Sequence, residues 1–202
     1  MIMYDDFDAI IFDMDGTLVD SGRLHQHAWT KTLEHYGIPV DPLLMRSLAG
    51  IPTIGTLEYL IDHFKLDLAL DLTQANAFKE SIVRATMANY VKPTALANFA
   101  KANKDIRPMA VGTGAYTNEA KTILDICGLA SLIDHVVGAD QVKNPKPSPD
   151  TFLRCAQLMG VEPRRCIVFE DARKGIEAAQ AAGMFVVDVE QTLQIKNDYF
   201  LS

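Results

Sequence analysis

Five short runs of apolar, β-rich residues recur along the chain, and they constrain the fold more than any other feature of the sequence. Each run is only a few residues long and several are almost continuously apolar, which is typical of strands buried on both faces of a parallel sheet. Helical patterns lie between the runs, as the connections of such a sheet require. We therefore predict an α/β fold with a doubly wound parallel sheet, whose strands cover residues 9–12, 109–112, 135–138, 166–169 and 185–189.

Three of the connecting segments have clear helical features. Residues 118–127 place apolar side chains on one face and stop at a glycine. Ser148 and Pro149 are typical of an N-cap followed by a proline in the first turn, which predicts a helix to about Met159. Residues 174–182 are rich in alanine and also end at a glycine. This spacing supports the alternation of strands and helices.

The interval from about Gly22 to Lys92 breaks the alternation, because it has helical patterning and no clear strand. We predict a helical cap over residues 21–92, inserted after the first strand into a catalytic core formed by residues 1–20 and 93–202. Such an insertion lies over the carboxyl ends of the strands, where open α/β sheets bind ligands. The predicted cap helices cover residues 23–36, 42–48 and 56–64, with a long helix through about residue 89.

Size and charge exclude several classes of protein. The chain has 202 residues, of which 49% are apolar, which fits one domain or a core with one insertion. Its 19 basic and 26 acidic residues give a net charge of −7, which argues against duplex nucleic acid or an anionic membrane as partners. The three cysteines have no metal or redox spacing, and the acidic N-terminus does not resemble a signal peptide. We therefore expect a cytoplasmic location.

Two acids directly follow the first apolar run. Asp13 and Asp15 are two residues apart, so in extended chain their side chains face the same side. Paired carboxylates at this place suit a divalent cation, or a nucleophile beside a general acid/base. A polar turn with an aspartate as a cap explains the same four-residue pattern equally well.

The other strand ends carry further polar residues. Thr113-Gly114 follows the second run, where a hydroxyl and backbone N–H groups can hold a phosphate oxygen, although such a pair is usually only a turn. Lys146 lies between prolines in a segment whose alternating prolines predict extended backbone; a solvated surface lysine is the alternative. Glu170-Asp171 follows the fourth run. Together these residues predict a charged site at one edge of the sheet.

In order, Asp13-Met14-Asp15-Gly16-Thr17, Thr113, Lys146 and Glu170-Asp171 resemble the four signature motifs of the haloacid dehalogenase-like superfamily. The resemblance spans nearly the whole chain and is greatest to the β-phosphoglucomutase-like branch. It implies a Rossmann-like core with an α-helical cap. Residues 111–114 and 150–157 resemble bacterial phosphatases of the fructose-1-phosphate and 6-phosphogluconate type.

The resemblance implies a role for each acid. Asp13 would be the nucleophile that forms an aspartyl-phosphate, and Asp15 the general acid/base. Mg²⁺ would be held by Asp13, the backbone carbonyl of Asp15 and Asp171, with Glu170 as a ligand through water or as an orienting group. Mg²⁺ is the only cofactor implied.

The same resemblance implies the remaining site residues and the substrate. Thr113, Gly114 and Lys146 would bind the phosphoryl oxygens. His25, on the first cap helix, would face the substrate, although a helix-packing histidine fits the sequence equally well. The expected partner is a small sugar phosphate of carbohydrate metabolism, and we expect a monomer.

One departure from the family pattern separates two activities. β-Phosphoglucomutases carry a lysine just before a cap-loop glycine and an arginine three residues after it; aligned on Gly50, these places hold Ala49 and Thr53. Because neither side chain is charged, a phosphatase is favoured over a phosphomutase, which must bind a second phosphate. A non-catalytic protein that binds Mg²⁺ or phosphate is the third hypothesis.

Overall fold

The computed structural model describes residues 4–49 and 51–201. These residues divide into two compact units, one formed by residues 4–20 and 91–197 and the other by residues 21–49, 51–90 and 198–201. The chain therefore passes from one unit to the other after Asp20, after Tyr90 and after Asn197. The predicted cap ends two residues later, at residue 92, and the predicted core includes the whole C-terminal tail.

The described residues form seven strands and nine α-helices. The strands are β1 Ala9–Phe12, β2 Val19–Asp20, β3 Lys92–Pro93, β4 Met109–Gly112, β5 His135–Val137, β6 Cys166–Glu170 and β7 Phe185–Asp188. The helices are α1 Gly22–Tyr36, α2 Pro42–Ser47, α3 Thr53–His63, α4 Leu72–Tyr90, α5 Leu96–Asn103, α6 Thr117–Ile126, α7 Asp150–Met159, α8 Arg173–Ala181 and α9 Val189–Leu193. Within the described ranges, no helix has both the length and the apolar character that crossing a membrane requires.

The main sheet has the strand order β5-β4-β1-β6-β7, and all its neighbouring strands are parallel. This confirms the predicted α/β fold. After the central β1 the chain builds β4 and β5 on one side and then β6 and β7 on the other, so the direction of winding reverses beside β1. Ligands of open α/β sheets bind at this point, outside the carboxyl ends of the strands.

Apolar side chains cover both faces of the sheet. On one face, α7 and α8 contribute Phe152 and Ala178 to a cluster with alternate residues of the strands. On the other face, Phe99 of α5 packs against the rings of Phe12 and Phe169, with centroids 6.5 and 5.3 Å apart. Helices on both faces are the reason why the strands read as continuous apolar runs rather than as alternating ones.

The helical unit has its own hydrophobic core. Helices α1 to α4 surround it, and the C-terminal tail adds Tyr199 and Phe200 to it. The segments that lead into and out of the insertion form a two-stranded antiparallel ladder of β2 and β3, in which Asp20 faces Lys92 and their side chains lie 3.1 Å apart. Two-residue strands have too few residues to show a periodic pattern, so the sequence did not predict this ladder.

Two local predictions about the segment before α7 are wrong. The segment is not extended: it forms turns, the Ser148 N–H donates to the Pro145 carbonyl at 3.0 Å, and the Lys146–Pro147 peptide is cis. Ser148 is also not the N-cap, because α7 begins at Asp150 and the preceding proline occupies the cap position. The serine hydroxyl donates to the Asp150 carboxylate at 2.7 Å instead of accepting from a backbone N–H.

Candidate active site

Three carboxylates meet at the carboxyl ends of the central strands. Parallel pairing of β1 with β6 places Phe12 beside Phe169, so the residues that follow, Asp13 and Glu170, are also neighbours. The Asp13 N–H donates to the Phe169 carbonyl at 2.9 Å and continues the ladder to this point. One carboxylate oxygen each of Asp13, Glu170 and Asp171 lies within 4.8 Å of the others. These three residues are called the acidic cluster below.

Lys146 is the cation that the structure places against the acidic cluster. Its Nζ lies 2.6 Å from Asp13 Oδ1 and 2.8 Å from Glu170 Oε2, and 4.6 Å above the Phe152 ring. The side chains of both acids are almost fully buried. The sequence left open whether Lys146 is a solvated surface lysine. Its contacts with two buried acids favour a lysine of the predicted charged site instead. Buried charges need such partners, because losing water costs several kcal/mol per ion.

Burial changes the acidity of the cluster. Desolvation raises the pKa of Asp13 well above its usual range, and the charges of Glu170 and Asp171 raise it further against the opposing effect of Lys146. Desolvation, with the charge of Glu170, also raises the pKa of Asp171 to about 7. Burial alone would lower the pKa of Lys146, but the charges of Asp13 and Glu170 raise it above its ordinary value. The lysine therefore stays charged, whereas the carboxylates lack enough positive charge to ionise together.

The acidic cluster fits Mg²⁺ by the chemistry of its donor atoms. Magnesium prefers oxygen ligands and is usually bound by one or two carboxylates together with waters and phosphate oxygens. The cluster offers carboxylate oxygens only, close together and with raised pKa values for two of the three acids. A divalent cation would offset the repulsion that a single lysine leaves uncompensated.

A tight loop after β1 packs against the Asp171 carboxylate. The Gly16 N–H donates to the Val19 carbonyl at 2.8 Å, and Gly16 has φ +87°, a conformation that favours glycine. A Cβ at Gly16 would collide with Asp171 Oδ2. Thr17 donates its hydroxyl to Asp171 Oδ1 at 3.3 Å. The glycine is thus needed for conformation and for space.

The phosphate-binding residues predicted after the second apolar run lie at the same edge of the sheet. Pairing of Phe12 with Val111 in the β1–β4 ladder brings Thr113 near the level of Asp13. Thr113 is buried, its N–H donates to the Val137 carbonyl at 3.0 Å, and its hydroxyl accepts from the Ala115 N–H at 3.1 Å. Gly114 follows and is exposed.

Two predicted residues lie outside this geometry. Asp15 is half-buried in the loop after β1, and its side chain is not part of the three-carboxylate group found among residues 4–49 and 51–201. Its charge still helps to raise the pKa of Asp171. His25 lies half-buried on α1 of the helical unit. Gly50, on which the mutase comparison was aligned, lies outside the described residues.

Sequence reasoning missed one residue that shapes the acidic cluster. Gly175 is the third residue of α8, and a Cβ there would collide with the carboxylate of Glu170. Glu170 Oε1 also accepts from the Ala172 N–H at 3.0 Å, so its side chain lies against the start of this helix. The signal was available, because glycine in a helix costs about 1 kcal/mol relative to alanine and indicates a close approach.

Comparisons with known proteins identify the family of this chain. Residues 7–183 match the family model described as haloacid dehalogenase-like hydrolase. The chain is 45% identical over 187 residues to fructose-1-phosphate phosphatase YqaB of Escherichia coli (strain K12), covering 93% of this chain and 98% of that protein. It is 32% identical over 182 residues to hexitol phosphatase A of the same organism, covering 90% and 82%. The crystal structure of β-phosphoglucomutase from Clostridium difficile superposes with a TM-score of 0.76 at 26% identity, covering 97% and 93%.

Proposed function

The chain belongs to the haloacid dehalogenase-like hydrolases, and on that basis we propose that it is a Mg²⁺-dependent phosphatase of small phosphorylated sugars. The observation that carries the proposal is the contact of Lys146 with Asp13 and Glu170 beside Asp171, at the carboxyl ends of the central strands. A buried carboxylate with a cation on one side and further acids on the other suits attack on a phosphate ester.

Asp13 is the proposed nucleophile. One of its carboxylate oxygens attacks phosphorus, the bond from phosphorus to the sugar oxygen breaks, and the leaving oxygen takes a proton from Asp15. Water then attacks phosphorus, Asp15 takes a proton from it, and the bond between phosphorus and Asp13 breaks. Inorganic phosphate and the free sugar are released, and both aspartates return to their starting states.

Phosphoryl oxygens need positive charge and donors while the ester breaks. Lys146 supplies the charge, and the Thr113 hydroxyl and the Gly114 N–H supply donors from the end of β4. Mg²⁺ would be held by Asp13, the backbone carbonyl of Asp15 and Asp171, and it would supply the charge that lets two anions approach each other. Asp13 and Thr113 are buried, which keeps water away from them and strengthens their contacts.

The substrate class is supported by the similarity to a curated fructose-1-phosphate phosphatase. We propose fructose-1-phosphate or 6-phosphogluconate as the type of substrate, with His25 of the helical unit facing the sugar. The proposed enzyme is a cytoplasmic monomer.

Replacing the nucleophile tests the proposal. Asp13→Asn should release no phosphate from a panel of sugar phosphates with Mg²⁺ present, while its circular dichroism spectrum stays that of the wild type. Asp105→Asn is the matched control, because Asp105 is exposed in a loop and its φ of +65° is one that asparagine tolerates. Turnover that survives in Asp13→Asn would exclude Asp13 as the nucleophile.

A phosphomutase is the second candidate, because a β-phosphoglucomutase has a similar fold over nearly the whole length of both chains. The uncharged Ala49 and Thr53 argue against it. With β-glucose-1-phosphate as substrate, a coupled assay should detect inorganic phosphate and no glucose-6-phosphate. If the wild-type protein with Mg²⁺ hydrolyses no member of the panel, the third hypothesis, a non-catalytic Mg²⁺- or phosphate-binding protein, replaces the phosphatase.

A further inference from the structure

The C-terminal tail returns to the acidic cluster after the last helix. The side-chain amide of Asn197 donates through Nδ2 to Asp171 Oδ2 at 3.3 Å. The other oxygen of the same carboxylate, Oδ1, accepts from the Thr17 hydroxyl at 3.3 Å. Both oxygens of Asp171 therefore have a donor. One donor comes from the loop after β1, and the other from the tail, 26 residues after Asp171.

The glycine of the first motif leaves room for this contact. A Cβ at Gly16 would lie 2.6 Å from Asn197 Nδ2, closer than real Cβ atoms approach other atoms, and would also collide with Asp171. The space beside Gly16 is thus occupied jointly by the tail amide and the carboxylate. The amide occupies a packed position rather than a chance one on the surface.

The tail is held on both sides of Asn197. Before it, Asp188 is the N-cap of α9, and its carboxylate accepts from the Gln191 N–H at 2.9 Å. After it, Phe200 joins the core of the helical unit, and its N–H donates to Gln26 Oε1 at 3.0 Å. Asn197 is the last residue of the first unit, to which Asp171 also belongs, so both partners of this hydrogen bond lie in the same unit.

We propose that Asn197 is a positioning residue that orients the Asp171 carboxylate for Mg²⁺. An amide N–H that donates to one lone pair of Oδ2 fixes the plane of the carboxylate and leaves other lone pairs for a cation. Groups that orient a metal ligand in this way typically affect metal affinity 10- to 100-fold. This inference rests on the proposed function, because it assumes that Asp171 is a ligand of Mg²⁺.

Mg²⁺ binding to the metal-free protein tests the inference without any turnover. Isothermal titration with MgCl₂ should show affinity about 10- to 100-fold lower for Asn197→Ala than for the wild type. Lys196→Ala is the matched control, since this exposed neighbour lies in the same tail, and it should bind as the wild type does. Asn197→Gln keeps the amide donor and should recover part of the affinity. At saturating Mg²⁺, the KM for the sugar phosphate should change less than threefold.

Each outcome separates the inference from the proposed function. Equal Mg²⁺ affinity in Asn197→Ala and the wild type overturns the inference even if the wild type is an active phosphatase. Lower affinity in Asn197→Ala supports it even if no tested ester is hydrolysed, a result that counts against the proposed phosphatase activity and not against the inference. An equal loss of affinity in Lys196→Ala shows a general effect of the tail and overturns the specific role of Asn197. A wild type that binds no Mg²⁺ overturns the inference together with the metal dependence of the proposed enzyme.

Discussion

Replacing Gly175 with alanine should destabilise the protein, although alanine is the better helix former. Gly175 is the third residue of α8, where a Cβ would overlap the carboxylate and the Cγ of the buried Glu170. The Glu170 side chain must therefore move away from its partners. These are the Nζ of Lys146 at 2.8 Å and the backbone N–H of Ala172 at 3.0 Å.

The size of the effect follows from these two contacts. A hydrogen bond to a charged group contributes about 1.5–3 kcal/mol, so losing both costs about 3–6 kcal/mol. Alanine regains about 1 kcal/mol of helix propensity. We expect the free energy of unfolding to fall by about 2–5 kcal/mol, measured by urea unfolding in EDTA with far-UV circular dichroism.

The matched control is Gly55→Ala, which has the same position in another helix. Gly55 is the third residue of α3, and the contact that a Cβ there would make is with Cγ2 of Ile51 at 3.3 Å, without the overlap found at Gly175. We expect this variant to be neutral or stabilised by up to about 1 kcal/mol. If Gly175→Ala is as stable as Gly55→Ala, Glu170 does not depend on the space beside Gly175, and the account of its position is refuted.

Three further predictions concern the charges and the tail. Burial raises the pKa of Asp171 to about 7, so the folded state binds a proton on this carboxyl more tightly than the unfolded state does. The contribution of this proton to the free energy of unfolding is therefore complete below pH about 4 and is lost as the pH rises through about 7. Urea unfolding in EDTA should show that loss and Mg²⁺ should reduce it, whereas a pH-independent stability would contradict the shift. Lys146→Met leaves two buried carboxylates without their cation, and the free energy of unfolding should fall by about 3–5 kcal/mol in the same assay. An unchanged free energy of unfolding would show that these contacts do not stabilise the protein. Phe200→Ala should destabilise the helical unit by about 3–5 kcal/mol, measured through the fluorescence of Trp29 in the same core. Leu201→Ala, at an exposed neighbouring residue, should leave the stability unchanged. Equal effects of the two substitutions would show that the tail is not specifically anchored.

Much of the fold could be predicted from the sequence because strands buried on both faces need continuous apolar residues. The structure has β1 at Ala9–Phe12 and β4 at Met109–Gly112, where the apolar runs predicted them. The helices α5 and α9 were not predicted. Leu96–Asn103 and Val189–Leu193 are short, and their helical state depends on tertiary packing more than on intrinsic propensity.

The residues of the candidate site that directly follow strands could be predicted from the sequence. Both acids follow directly on apolar runs, so they became neighbours once β1 and β6 paired in parallel with Phe12 beside Phe169. The path of Lys146 was not predictable, because its segment forms turns where alternating prolines indicated extended chain. The lysine reaches Asp13 through the fold of that segment, whose turn geometry the residue types did not specify.

By itself, the sequence determined the chemical groups of this protein and the order in which they follow the strands: carboxylates after β1 and β6, a hydroxyl after β4 and Lys146 in the segment before α7. Only the tertiary structure decided which of those groups touch. It brought the amide of Asn197 to Asp171 and placed Gly175 against Glu170. Apolar periodicity is a local pattern, whereas these two contacts depend on how a tail and a helix pack against the sheet. A glycine within a helix indicates a close approach but does not identify the group that approaches.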